Sequence, residues 1–84
     1  GFLAKELVGK ITHYYDKIGV AVIKLTGALK KGDRIKVEQG DEVFEDSISS
    51  LQIDHEDVES AKKGDEAAVK LAQKAKEGAT ISVL

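Results

Sequence analysis

Histidine is the side chain best suited to act as ligand, acid or base near neutral pH, and the sequence holds two, His13 and His55. His55 sits in the acidic run Asp54-His55-Glu56-Asp57, while His13 leads into Tyr14-Tyr15-Asp16-Lys17. Read for chemistry, the two histidines with Asp54, Glu56 and Asp57 would form a metal or acid–base cluster. Read for structure, His13 caps a strand edge and His55 pins the loop after Ile53 through backbone hydrogen bonds. The spacing matches no known ligand set, so no metal is expected. Tyr14 and Tyr15 must face opposite sides if they lie in a strand. One ring is then exposed near Lys10 and Lys17, where it could stack on a base or on a partner's side chain, while the other covers the end of the fold. Lys30-Lys31 and Lys62-Lys63 each precede Gly-Asp. Such pairs either touch phosphate or simply solubilise a turn. Ser47, Ser49, Ser50, Ser60 and Ser82 have no base beside them in sequence, so no nucleophile–base–orienter set is expected and the chain is read as non-catalytic. The candidate binding surface is Lys10, His13, Tyr14, Tyr15, Lys17, Lys30, Lys31 and His55, and no cofactor is expected.

These residues must be carried by a small scaffold. A length of 84 residues fits one domain, taken as 1–84 with 1–5 a flexible N-terminal extension. There is no cysteine, which removes disulfides, thiolate chemistry and zinc knuckles. No apolar run approaches a membrane span, so a soluble, cytoplasmic protein is expected. The first residue is Gly1 rather than methionine, which reads as a tag remnant, a processed end or an excised fragment. The net charge of −2 disfavours a sequence-blind nucleic-acid binder, yet the charge is uneven. Residues 1–40 hold eight Lys/Arg against four Asp/Glu, residues 41–66 two against ten, and residues 67–84 three against one.

Hydrophobic periodicity reads as strands. Glu6–Tyr15 puts Leu7, Ile11 and Tyr15 on one parity, with Gly9 where another backbone passes closely. Val20–Thr26 is nearly all apolar and suits a strand buried on both sides or nearly so. Ile35 and Val37 alternate with Arg34 and Lys36. Val43–Ile53 shifts parity across Ser49-Ser50, which predicts a bulge or sharp bend. Glycine turns recur at Leu29-Lys30-Lys31-Gly32-Asp33, at Ala61-Lys62-Lys63-Gly64-Asp65 and, less fully, at Ala75-Lys76-Glu77-Gly78-Ala79. Glu66–Lys76 has the propensity of a helix, although as a strand Ala67, Val69 and Leu71 would share a face.

The runs Gly9-Lys10-Ile11-Thr12-His13-Tyr14-Tyr15, Lys17-Ile18-Gly19-Val20-Ala21-Val22 and Leu29-Lys30-Lys31-Gly32-Asp33-Arg34-Ile35 resemble the second-domain β-barrel of translation elongation factors. Ser49-Ser50-Leu51-Gln52-Ile53-Asp54-His55-Glu56, followed by Val58, Ala61 and Gly64-Asp65, resembles the later part of that barrel. The likeness extends to short stand-alone elongation-factor-like proteins and to the C-terminal barrel of collagenase-like peptidases. It implies an all-β fold, a small six-stranded, closed, mostly antiparallel barrel in which Glu66–Leu71 is a strand. It also implies a non-catalytic binding module contacting a translation component (tRNA or ribosome) or a protein partner. The alternative is an accessory barrel of a collagenase-like peptidase that supports substrate positioning. No phosphate loop is present, so GTP binding is not expected. The first strand carries Lys10 and Ile11 where the factors place acidic residues. Any RNA binding would be weak and confined to the basic first half.

Overall fold

The structure is a computed structural model that describes residues 6–84; the expected extension at 1–5 lies outside the described residues. Ten strands follow in order: β1 (Glu6–Tyr15), β2 (Val20–Leu25), β3 (Leu29–Lys30), β4 (Arg34–Gln39), β5 (Glu42–Ser47), β6 (Leu51–Ile53), β7 (Glu56–Asp57), β8 (Ser60–Ala61), β9 (Glu66–Lys70) and β10 (Thr80–Val83). Eight form one antiparallel sheet in the order β5-β4-β10-β1-β2-β9-β6-β7, and β3 pairs with β8 in a separate ribbon. The described residues are thus all β and irregular, with no helix, and none of them forms a segment long and apolar enough to cross a membrane as a helix.

The expected ring of six strands takes a different form. The ladders leave two sheet ends, β5 and β7, and among the described residues no ladder joins them. The short link Ile48–Ser50 carries the chain from β5 to β6, and Ile48 bonds to the turn before β4: its N–H donates to the Asp33 carbonyl (2.9 Å) and its carbonyl accepts from Gly32 N–H (2.8 Å). The parity shift seen in sequence is this bend, which divides one long strand-like segment into two strands and lets the sheet wrap a single core in barrel-like fashion.

That core is built by alternation. Ile35 and Val37 of β4, Ala21, Ile23 and Leu25 of β2, Ala67 and Val69 of β9, Leu51 of β6 and Ile81 of β10 are all buried. No polar or charged side chain is buried among the described residues. Any chemistry must therefore take place on the surface.

In β1 the simple parity fails. Leu7 is 55 % exposed and Tyr15 48 %, while Val8 and Ile11 are buried. The cause is a pair of register shifts, one between Leu7 and Gly9 and one between Ile11 and His13. Each bulge inserts one residue and flips the faces of those that follow, so Tyr14 turns toward the core and Tyr15 away. Gly9 permits the close approach expected of it: a Cβ there would lie 2.5 Å from Ile23 Cγ2 and 2.9 Å from the Lys24 carbonyl oxygen.

β2 is buried on one side only. Val20 and Val22 are half-buried on the outer face and Lys24 is exposed there, so the outer side is covered only in part. Glu66–Lys70 is a strand despite its helical composition. Pairing with β2 on one edge and β6 on the other satisfies its backbone, and Ala67, Val69 and Leu71 fill the core. The tertiary ladder overrides the local preference.

The two Lys-Lys-Gly-Asp turns share one construction. Asp33 Oδ2 accepts the Lys30 N–H (3.0 Å), and Asp65 Oδ2 accepts the Lys62 N–H (3.1 Å). The Asp33 and Asp65 N–H groups bond back to the Lys30 and Lys62 carbonyls (3.2 and 3.0 Å). Gly32 and Gly64 supply the positive φ (92° and 95°) that the reversal requires.

Candidate binding groove

Directly opposed residues of antiparallel strands share a face, so the ladders map the outer surface. One row runs His13–Val22–Ala68–Gln52, the next pairs Tyr15 with Val20 and Val20 with Lys70, and a third pairs Lys10 with Lys24 and Lys24 with Glu66. Where these rows meet the β1–β2 and β6–β7 turns lies a groove of about 580 Å³ lined by Tyr15, Ile18, Val20, Val22, Gln52, Asp54, His55, Glu66 and Ala68. Its floor is aliphatic. Its walls are one phenol ring, one imidazole, a primary amide and two carboxylates.

Two devices position the aromatic wall. The Tyr15 ring packs against the His13 ring with centroids 4.3 Å apart and planes at 53°. His13 is held in turn by Glu77, whose Oε2 lies 3.3 Å from Nδ1. His13 thus sits mid-strand and braces Tyr15, rather than capping a strand edge. The other wall is a two-residue hairpin loop, with Ile53 paired to Glu56 and Asp54-His55 between them. Both loop residues have positive φ, 54° and 66°, as a type I′ turn demands. Asn-Gly is the usual occupant of such a loop, yet here a histidine side chain stands where glycine would be easiest to accommodate. Backbone geometry and the β7 pairing shape this loop; the hydrogen bonds expected from His55 to backbone are not formed among the described residues.

The other residues singled out from sequence lie elsewhere. Tyr14 packs inward. Lys10 and Lys17 are exposed on the outer face and in the β1–β2 turn. Lys31 Nζ lies 3.9 Å from Glu59 Oε2, and the antiparallel β3–β8 register sends Lys30-Lys31 and Lys62-Lys63 to opposite ends of the ribbon. Tyr15 and His55, forty residues apart, are brought together, whereas the eight candidates do not form one surface. No three His, Asp or Glu side chains gather as a metal-ligand set among the described residues. Sequence reasoning missed Ile18, Val20, Val22, Gln52, Glu66 and Ala68 and had grouped Asp54 only with a histidine cluster that does not form. The signal for the two valines was present, since alternation with Ala21 and Ile23 places them on the opposite face. A second groove of about 590 Å³ between the β4–β5 hairpin and residues 73–76 is lined by acids and lysines alike, among them Glu42 and Lys74, beside Phe44.

Comparison with known proteins places this geometry. No family model matches the sequence. The chain is 38 % identical over 78 residues to a Methanocaldococcus jannaschii protein described as an uncharacterized protease; the match covers 92 % of this chain and 19 % of that protein. The chain therefore spans about one fifth of the length of this relative. Among solved structures it resembles the C-terminal domain of a Geobacillus thermoleovorans protein described as a U32 peptidase. The TM-score is 0.88 at 15 % identity, covering 94 % of this chain and 92 % of that domain. The selenomethionine variant of that domain gives a TM-score of 0.86, also at 15 % identity, covering 92 % and 98 %. At that identity the likeness is one of fold. None of these three is described as a translation protein, and they fall on the peptidase side of the resemblance.

Proposed function

We propose that the chain is an accessory, non-catalytic β domain of a peptidase, holding substrate or partner segments near a catalytic domain rather than cleaving them. The observation that carries this reading is the 38 % identity over 92 % of the chain to a stretch of a much longer protease. The likeness to an excised peptidase C-terminal domain is in keeping with it. The chemistry agrees: the core holds no polar group, the serines lack a partnered base, and the outer groove offers apolar floor and hydrogen-bonding walls. A translation role draws no comparable support, since carboxylates rather than lysines line the groove.

The test has two arms. The reading frame that encodes Gly1–Leu84 is followed upstream, where a peptidase catalytic domain in frame is expected; a start codon beside Gly1 with no such domain overturns the proposal. In the whole protein, deleting these residues should raise KM for long substrates while leaving kcat for a short peptide near its original value. An equal loss of kcat on both would assign the domain a catalytic part instead.

A further inference from the structure

Five large apolar side chains stand exposed among the described residues, and two of them, Tyr15 and Ile18 (60 % exposed), flank one groove. Between them lie half-buried Val20, Val22 and Ala68. An apolar floor between two exposed apolar side chains offers a surface on which an aliphatic group can be buried. The rim states what kind of occupant fits. Asp54 and Glu66 line the groove, and neither makes an ion pair among the described residues. Glu56 lies just beyond in the same acidic run. Asp57 bonds to Gln52, the Asp57 Oδ1 accepting from Gln52 Nε2 at 3.2 Å.

The nearby cations stand outside the groove. Lys24 is paired across the ladder with Glu66, but its amine turns to the Gly64 carbonyl at 3.5 Å. Lys70 and Lys10 belong to the outer face without lining the groove. The lining therefore carries two carboxylates and neither lysine nor arginine. The type I′ turn at this rim is made by Asp54 and His55, so it carries a carboxylate and an imidazole to the groove where Asn-Gly would carry neither.

We infer that the Tyr15–His55 groove binds an extended peptide segment that carries an aliphatic residue and, two positions on and so on the same face, a basic one. The aliphatic side chain lies on Val20, Val22 and Ala68 between Tyr15 and Ile18. The lysine or arginine reaches Asp54 and Glu66, and the His55 ring and Gln52 amide face the peptide's backbone polar groups. Choice of a peptide over another cationic ligand rests on the accessory-domain reading; the site and its charge preference rest on the groove itself.

The experiment uses the 84-residue chain, labelled for amide chemical-shift mapping, with a capped hexapeptide that carries leucine, lysine and leucine at every second position and serine between them. The expected result is saturable shifts at Tyr15, Ile18, Val22, His55 and Ala68 with the leucine–lysine peptide and none with a leucine–glutamate counterpart. The double variant Asp54→Asn, Glu66→Gln keeps side-chain shape and suits the positive φ at residue 54. It should weaken binding roughly five- to tenfold, as two exposed charge pairs would, and Ile18→Ser should weaken it comparably with the fold intact by dispersion of the amide spectrum. The proposal is overturned by absence of saturable shifts, by shifts centred on Phe44 and Ala75, by full affinity in the double variant, or by an RNA acceptor-stem hairpin occupying the groove more tightly than the peptide. Because the isolated chain is titrated, failure here leaves the reading-frame and KM tests of the accessory role standing on their own.

Discussion

Leu29 and Ala61 are partners across the β3–β8 ribbon and also occupy the same position of two like turns, each followed by Lys-Lys-Gly-Asp. The ribbon thus pairs a segment with its own counterpart thirty-two residues later. Asp33 and Asp65 make matching bonds, so Asp33→Ala and Asp65→Ala should each cost about 1 kcal/mol, and the double variant should lose the sum, since the sites share no hydrogen-bond partner. Thermal unfolding of the four proteins checks this. The third turn repeats the backbone bond, Ala79 N–H to the Lys76 carbonyl at 3.1 Å, but its last residue is buried. Ala79→Asp should therefore destabilise the fold by several kcal/mol by burying a charge, instead of adding a third cap.

Gly9 is the least replaceable residue of β1. Gly9→Ala would press a methyl group against Ile23 and the Lys24 carbonyl, at a cost of about 1–3 kcal/mol. Melting should fall by roughly 4–8 °C per kcal/mol in a domain of this size. Gly27→Ala is the control: its added Cβ meets nothing nearer than 3.4 Å, and it should melt within a few degrees of the parent.

His55 should trade stability for recognition. His55→Gly relieves a positive φ, a gain of about 0.5–1 kcal/mol after allowing for the looser unfolded chain. The expected outcome is a higher melting temperature together with weaker leucine–lysine peptide binding. His55→Val, whose branched side chain fits that backbone poorly, should melt below both.

Asp46 joins two segments that no ladder connects. Its Oδ1 accepts the Ser47 N–H and its Oδ2 the Ala72 N–H, each at 2.7 Å. Asp46→Asn can keep only one of the two and should cost about 1–3 kcal/mol. Amide exchange should rise first at Ala72 and in residues 72–79 if this bond anchors them.

The strands of this domain were readable where alternation is regular, as in Ile35 and Val37, or where a ladder is flanked by glycine turns. β1 was misread because a bulge leaves no mark in a pattern of apolar residues; only the partners of Gly9 and His13 reveal it. β9 was ambiguous in its own residues, since alanine and lysine favour helix and the strand exists through its neighbours. The groove was half legible. Tyr15 and His55 stood out as chemical types, but Asp54-His55 lacks the Asn-Gly signature of its turn, and nothing local could say that residues forty positions apart share one wall.

Glu6 of β1 stands opposite Val83 of β10, so the two ends of the described chain meet at one corner. From there the ten residues of β1 run to Tyr15, at most about 30 Å for an extended strand. A covalent neighbour attached at either end would hold the domain by its heel and leave the groove at the toe. The groove then works as the far end of a lever, sweeping a wide arc for a small swing at the attachment, with its reach set by the length of a single strand.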